Sequence, residues 1–300
     1  MCNVFARSNG LIMHKMANAA ASDTTLNMET EFCSVSLDII GKTVFNYEFG
    51  SVTKESPVFQ AVYSVLKEAE HRSITPLLYW NLVPFANQLI PRLRKFNDNL
   101  ALLDGVLNEL IEMALATKNL ADEEDVQNRD YDEMENPSLL RFLVDMRVEE
   151  ASSKQLRDDL MTMLIAGHET TVAVLTWSMF ELSQQPELLA EVRAEIDEVL
   201  GDRDPTYDDI PKLNLLRLVV AESLRMYPEP PLLIRRALQD DLLPSGGTGI
   251  ETQIMRGTDV FMAIYNVHRS PDCWEEPDKF DPHRFTRPHK NAGRPDWAGY

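Results

Sequence analysis

The stretch LMTMLIAGHETTVAVLTWSMF, residues 160–180, is strongly apolar, yet AGHETT at residues 166–171 places a glycine, an imidazole, a carboxylate and two hydroxyls near its centre. A membrane-spanning helix needs about 20 consecutive apolar residues, and His168 and Glu169 interrupt this run. A carboxylate is costly to place in lipid. The stretch therefore predicts a buried helix of a globular protein rather than a membrane span.

The composition indicates a globular chain. An apolar fraction of 44% over 300 residues is sufficient for a substantial core. The 48 acidic residues outnumber the 29 basic ones and give a net charge of −19, which repels phosphate backbones and anionic membrane surfaces. We therefore expect no nucleic-acid partner. The three cysteines, Cys2, Cys33 and Cys273, are widely spaced, and they suggest neither a disulfide framework nor a zinc cluster.

Apolar spacing and punctuation by proline and glycine predict a mainly α fold with a small β portion late in the chain. The predicted helices cover residues 28–47, 56–73, about 89–118, 152–185, 186–201 and 211–228. Short strands are predicted within residues 228–238 and 258–267, an exposed acidic loop at residues 121–137, and coil from residue 270 onward.

The AGHETT stretch has an unusual set of side chains for a core helix. A glycine inside a helix costs about 1 kcal/mol relative to alanine, and threonine hydroxyls can compete for backbone hydrogen bonds. Gly167 followed by Thr170 therefore marks a place where the helix can bulge and a flat ligand can approach the backbone. The alternative is a polar seam that packs on another helix. A zinc site of the HExxH type is excluded because Val172 stands where the second histidine is required.

A second polar group lies in LRLVVAESLRMY, residues 216–227. Glu222 and Arg225 are three residues apart, so they share one helix face. An exposed pair of this kind contributes little to stability. The apolar neighbours indicate that the pair is at least partly buried and needs further polar partners, and Arg284 in DPHRF is a candidate third partner.

These motifs together resemble those of one family, the haem-thiolate monooxygenases called cytochrome P450. AGHETT is similar to the oxygen-activating motif of the family's long central helix, ESLR to its E-x-x-R motif, and PHRF, with the segment 267–285 that leads to it, to its P-x-R-F motif. The sequences of residues 37–58 and 230–238 are similar to those of the plastid carotenoid hydroxylases of plants and algae. The resemblance covers the whole chain and implies a partial cytochrome P450 domain over residues 1–300.

The resemblance also implies a haem b cofactor and roles for individual residues. Thr170 and Glu169 would be catalytic, the first by a hydrogen bond to oxygen during its activation and the second by relaying protons. Residues implied to contact or support the haem are Ala166, Gly167, Thr170, Arg235, Glu222, Arg225 and Arg284. Either Arg235 or Arg236 would bind a haem propionate, since strand alternation lets only one of them point inward, and spacing favours Arg235.

An apolar substrate pocket is also implied by the resemblance. The residues expected to line it are Leu164, Ile165, Pro231, Leu232 and Leu233. Core packing is the alternative role for each of them.

One departure from the family concerns the axial ligand. The family holds its haem iron with a cysteine thiolate in a glycine-rich loop after P-x-R-F, whereas the chain stops at GRPDWAGY and Cys273 precedes the motif. We expect the axial cysteine to lie beyond residue 300, so that no metal ligand is present. The early helices of the family are expected ahead of Met1. The chain is interpreted as an internal fragment that is inactive by itself.

For the parent protein, the resemblance implies hydroxylation of a lipophilic substrate, a carotenoid ring, with O2 and electrons from ferredoxin or an NADPH-dependent reductase. It also implies a plastid location and peripheral association with a membrane. The competing interpretation is a non-catalytic helical remnant or a module that binds a lipophilic ligand.

Overall fold

The computed structural model describes residues 2–54, 56–75, 80, 83, 85–118, 139, 140, 143, 153–243 and 251–287. The helices in this part of the chain are α1 (Cys2–Ala21), α2 (Met28–Ile40), α3 (Pro57–Ile74), α4 (Ala86–Leu89), α5 (Pro91–Lys118), α6 (Ser153–Gln184), α7 (Pro186–Leu200), α8 (Asn214–Met226) and α9 (Ile264–His268). The strands are β1 (Leu233–Arg236), β2 (Asp241–Leu243), β3 (Thr252–Ile254) and β4 (Asp259–Met262). The predicted mainly α fold with a small β portion is confirmed.

Proline at the first helical position sets two of the helix starts that the sequence predicts. Pro57 opens α3 and Pro186 opens α7, where the missing N–H costs no helical hydrogen bond. The helix predicted to reach residue 47 instead ends at Ile40 and continues as a π-helical turn, Gly41–Phe45. A Cβ on Gly41 would lie 2.5 Å from Cδ2 of Phe49 and 2.7 Å from the carbonyl oxygen of Tyr47. The chain folds back closely on Gly41, and this contact ends the regular helix.

Other boundaries differ from the prediction because local turns override the apolar spacing. The helix predicted from about residue 89 to residue 118 is α5 (Pro91–Lys118), with the short α4 before it. Helix α8 starts at Asn214 after a 3-10 turn, Tyr207–Lys212, that contains Pro211. Residues 264–268 form helix α9 rather than a continuation of strand β4. Helix α1 and strands β2 and β3 were not predicted. The predicted acidic loop at residues 121–137 lies outside the described residues, as does residue 152.

The chain groups into two compact units, Met1–Val172 and Ala173–Tyr300. The core of the first unit contains apolar side chains from α2, α3, α5 and α6, among them Leu37, Val62, Leu103, Leu107, Leu160 and Leu164. The core of the second unit contains Leu182, Leu188, Val192, Val219, Met226 and Phe280. The 32-residue helix α6 contributes its first part to one core and its last part to the other.

Two antiparallel strand pairs form the β portion of the second unit. Strand β1 pairs with β4, with Leu233 opposite Met262 and Arg236 opposite Asp259. Strand β2 pairs with β3. The first pair is the one that carries the two adjacent arginines.

Helix α8 is held at its N-terminus by a side chain from α7. Glu195 accepts hydrogen bonds from the backbone N–H groups of Leu215 and Leu216 at 2.7 and 3.0 Å. A carboxylate at a helix N-terminus satisfies otherwise unpaired donors and interacts favourably with the helix dipole. This contact fixes the start of the helix that carries Glu222 and Arg225.

Helix α6 has 32 residues, which is long enough to cross a membrane. Among the helices of the described residues, none combines the length and apolar character that a membrane span requires. In α6 the imidazole of His168 is buried among apolar side chains of the first unit, as expected for a core helix.

Candidate functional site

In the first unit, helix α6 continues without interruption through AGHETT. The hydroxyl of Thr170 donates a 2.8 Å hydrogen bond to the carbonyl oxygen of Ala166, one turn earlier. The hydroxyl satisfies its donor in this way while the helix keeps its regular form, so the bulge that the sequence suggested is not present. Ala166, Glu169 and Thr170 are all exposed, which leaves one face of the motif open.

The space at Gly167 is filled by a neighbouring helix. A Cβ on Gly167 would lie 3.2 Å from Cδ1 and 3.6 Å from Cγ1 of Ile40 on α2. The sequence predicted that this gap admits a flat ligand. On this side the missing side chain lets Ile40 approach α6, and the contact of a flat ligand with Gly167 stays a prediction.

His168 belongs to the motif, but no functional role is predicted for it from the sequence. Its side chain is 1% exposed, and Nε2 lies 3.1 Å from the backbone carbonyl oxygen of Cys33 on α2. A carbonyl oxygen only accepts, so Nε2 carries the proton. Burial lowers the pKa of His168 below its ordinary value, although the hydrogen bond to Cys33 acts in the opposite direction.

The position of His168 could have been read from the helix spacing. Leu160, Leu164, His168 and Val172 follow one another at intervals of four residues, and all four are buried. Residues four apart lie on one helix face, so the imidazole continues the core-facing stripe of α6. Leu164 on this stripe is 1% exposed and packs in the core of the first unit, and its contact with a substrate stays a prediction.

Cys33 lies close to the same motif. Burial, together with the charges of Glu29 and Glu169, raises the pKa of the Cys33 thiol to about 11. A thiol with a raised pKa is protonated at neutral pH and is a poor nucleophile and a poor metal ligand.

In the second unit, Glu222, Arg225 and Arg284 form what we call the Glu–Arg–Arg cluster. Arg225 donates from Nε to Oε2 of Glu222 at 2.8 Å and from Nη2 to Oε1 at 2.9 Å. Arg284 donates from Nε to the same Oε1 at 2.9 Å. The backbone N–H of Asp281 donates to Oε1 as well, also at 2.9 Å. The structure thus brings together the three residues that the sequence grouped.

The two arginines of the cluster also hold the last residue of α9 and the irregular segment that follows it. Arg225 donates to the carbonyl oxygens of His268 and Pro277 at 2.7 and 2.8 Å. Arg284 donates to those of Glu275 and Lys279 at 2.7 and 2.8 Å. Through these four hydrogen bonds the two arginines tie the segment to the cluster.

The adjacent arginines of β1 have different partners. Arg236 makes a two-point ion pair with Asp259 on β4, with both N···O distances at 2.7 Å. The guanidinium of Arg235 is exposed and donates to the carbonyl oxygen of Ile234 at 2.9 Å. Because Asp259 occupies the guanidinium of Arg236, Arg235 is the better placed of the two to bind an external carboxylate.

The other residues predicted to line a substrate pocket are more accessible than Leu164. Ile165 and Leu233 are half-buried, whereas Pro231 and Leu232 are exposed. Ile165 belongs to the first unit and the other three to the second.

The fold and the polar groups define a mainly α-helical protein in which a buried carboxylate is shared by two arginines. A family model described as cytochrome P450 matches residues 1–298, and the chain belongs to the cytochrome P450 family.

Comparison with known proteins gives the same family. The chain is 52% identical to cytochrome P450 97B2, chloroplastic, of Glycine max over 276 residues. This alignment covers 91% of the chain and 48% of that protein. The chain is 40% identical over 284 residues to carotene epsilon-monooxygenase, chloroplastic, of Arabidopsis thaliana, covering 94% of the chain and 51% of that protein. The chain thus spans about half the length of these relatives.

A solved structure supports the fold assignment. The crystal structure of the cytochrome P450DA haem domain matches with a TM-score of 0.73 and 25% identity, covering 94% of the chain and 56% of that structure.

Proposed function

We propose that the protein to which this chain belongs is a haem-dependent monooxygenase that hydroxylates a carotenoid ring, using O2 and electrons from ferredoxin or an NADPH-dependent reductase. The observation that carries the proposal is the match to the cytochrome P450 family over residues 1–298, together with 40% identity to a protein named carotene epsilon-monooxygenase. That residues 1–300 form part of one domain remains a prediction.

The exposed face of AGHETT supplies the proposed catalytic groups. Ala166 and Thr170 lie one helical turn apart on this face, joined by the hydrogen bond from the Thr170 hydroxyl to the Ala166 carbonyl. A hydroxyl that is free to rotate can redirect its hydrogen and still accept through its oxygen, so Thr170 can hold a proton at the reacting oxygen. Glu169, which directly precedes Thr170 and is also exposed, can exchange that proton with solvent.

One observation supports a fit between the residues of this chain and a haem b group. A haem carries two propionate carboxylates, which a guanidinium binds in a two-point arrangement. Arg236 on strand β1 is paired with Asp259 on strand β4, whereas the guanidinium of the neighbouring Arg235 is exposed. Arg235 would therefore hold a propionate, and the Glu–Arg–Arg cluster would keep the supporting segment rigid. When bound, the haem supplies the chemistry of O2 activation.

The substrate is proposed to be lipophilic. Ile165, Pro231, Leu232 and Leu233 supply accessible or half-buried apolar surface, which favours a hydrocarbon over a polar ligand. Gly167 packs against Ile40 and Leu164 packs in the core of the first unit, and their contacts with haem and substrate are part of the same proposal.

A plastid location and peripheral membrane association are part of the same proposal. The names of the related proteins from Glycine max and Arabidopsis thaliana include the word chloroplastic. Phe85 and Leu89, exposed by 70% and 73%, are the side chains proposed to contact the uncharged part of such a membrane.

The proposal is tested by the origin of the product oxygen. The haem-loaded full-length protein to which this chain belongs would be incubated with a carotenoid, reduced ferredoxin or reductase, and dioxygen carrying a heavy oxygen isotope, and the product analysed by mass spectrometry. A hydroxylated ring with one labelled oxygen atom is expected. No hydroxylated product, or a label that enters from water instead, would contradict the proposal and favour the non-catalytic interpretation.

A further inference from the structure

The contact between α2 and α6 contains two polar side chains at the height of AGHETT. We call it the α2–α6 contact and define it by Cys33, Ser36, Ile40, Gly167 and His168. From α6, His168 donates through Nε2 to the carbonyl oxygen of Cys33 at 3.1 Å. From α2, the hydroxyl of Ser36 lies 3.4 Å from the carbonyl oxygen of Gly167 and 3.3 Å from that of His168. Each helix thus donates to the backbone of the other.

These polar groups are buried, so their partners matter. Ser36 is 4% exposed and His168 is 1% exposed. Buried donors are costly when they lack an acceptor, and the acceptors here are backbone oxygens whose positions are fixed by two helices. An apolar contact is non-directional and lets one helix shift along the other. These hydrogen bonds, in contrast, form only at one rotation of α6 about its axis and one position of α6 along α2.

Within this contact, His168 lies two residues before Thr170 and therefore projects from nearly the opposite side of α6. Gly167 packs against Ile40, and His168 points into the core. Ala166 and Thr170 are exposed. The rotation that satisfies Ser36 and His168 therefore also sets the direction in which the Thr170 hydroxyl is presented.

We propose that Ser36 and His168 are positioning residues, which fix the rotation of α6 at AGHETT so that the Thr170 hydroxyl is presented correctly for the reaction. The proposal rests on the proposed monooxygenase function. A glycine inside the motif lowers the intrinsic stiffness of the helix, and the α2–α6 contact restores a defined position where the reaction needs it. The buried Nδ1 of His168 has no hydrogen-bond partner among the described residues, so the bond from Nε2 is the hydrogen bond that orients the ring, beside an edge-on contact with Phe59.

The first measurement needs no haem. Hydrogen–deuterium exchange of the peptide covering residues 164–172 would be compared in wild type, Ser36→Ala, His168→Leu and His168→Gln. We expect exchange at least threefold faster in Ser36→Ala and His168→Leu, and close to the wild-type rate in His168→Gln, because glutamine offers a replacement N–H donor. Unchanged exchange in both of the first two variants would overturn the proposal.

The matched control is Ser34→Ala. Ser34 is also buried on α2, but its hydroxyl donates to the carbonyl oxygen of Thr30 in the same helix at 3.0 Å. Losing that bond affects α2 without removing a bond to α6. Equal acceleration in Ser34→Ala and Ser36→Ala would mean that the effect is general loosening of α2, and it would overturn a positioning role.

The second measurement uses haem-loaded protein and separates positioning from packing. The fraction of consumed electrons recovered as hydrogen peroxide is expected to rise at least threefold in Ser36→Ala and His168→Leu, with KM for the substrate unchanged and with rescue in His168→Gln. Faster exchange with an unchanged peroxide fraction in an active enzyme would overturn the role in the reaction. A wild-type protein that forms no hydroxylated product would contradict the proposed function instead, and the exchange data would still decide whether the contact positions α6.

Discussion

Glu222 and Arg225 lie one turn apart on helix α8 and are joined by two hydrogen bonds of 2.8 and 2.9 Å in the interior of the second unit. Their side chains are 0% and 2% exposed. Removing two charges from water is costly unless each finds close partners, and Arg284 and the N–H of Asp281 supply further ones to the carboxylate. The pair is therefore sensitive to the loss of either member.

Arg225→Ala is expected to lower the free energy of unfolding by about 3–5 kcal/mol, because it leaves a buried carboxylate with fewer partners. Urea denaturation followed by circular dichroism measures this change. In haem-loaded protein, the same variant is expected to lose stable haem. The matched control is Arg217→Ala on the same helix, where the side chain is exposed. Equal stability and haem content in Arg225→Ala and wild type would contradict the structural role of the cluster.

The two adjacent arginines of β1 are expected to differ in their effect on haem retention. Arg235→Gln removes the exposed guanidinium proposed to bind a propionate and should speed haem loss, measured by transfer to an excess of apomyoglobin. Arg236→Gln breaks the ion pair with Asp259 and should leave the rate of haem loss near that of wild type. Faster haem loss in Arg236→Gln than in Arg235→Gln would reverse the assignment.

His168 should make stability depend on pH in one direction. Burial lowers its pKa in the folded state from the ordinary 6.5, so below that pH the unfolded chain takes up a proton that the folded chain does not. The contribution is fully present above pH 6.5 and is lost as the pH falls below it. The free energy of unfolding of wild type minus that of His168→Gln is therefore expected to decrease between about pH 7 and 5. Parallel pH profiles for the two proteins would refute this.

Gly167 and Ile40 should show energetic coupling. Replacing a helical glycine with alanine gains about 1 kcal/mol, but the new Cβ of Gly167→Ala would lie 3.2 Å from Cδ1 of Ile40. We expect little net gain in wild type and a gain of about 1 kcal/mol in the Ile40→Val background, which lacks that methyl group. A double-mutant cycle by urea denaturation measures the difference. The same gain in both backgrounds would show that the contact does not restrict Gly167.

Local chemistry made several features predictable from the sequence, and tertiary contacts decided the rest. Proline at the first helical position fixed the starts of α3 and α7. The i, i+3 spacing and apolar neighbours of Glu222 and Arg225 indicated a buried pair. In contrast, the end of α2 depends on the close approach of Phe49 to Gly41, which involves residues eight apart and leaves no periodic signal.

The first unit shows the same division within AGHETT. The four-residue spacing of Leu160, Leu164, His168 and Val172 predicts that the imidazole lies on the buried face of α6, although its polar neighbours suggest a ligand-facing position. The partner of Gly167 was not readable, since Ile40 lies more than 100 residues away in the chain and nothing in either segment specifies their contact.

The coupling of electron consumption to hydroxylation in Thr170→Ala tests the central claim most directly, with Thr171→Ala as its neighbour control. Both variants should retain haem. The account predicts that Thr170→Ala forms hydroxylated product about a hundredfold more slowly while electron consumption continues and hydrogen peroxide appears, and that Thr171→Ala stays close to wild type. Wild-type coupling in Thr170→Ala would contradict the role given to the exposed face of AGHETT.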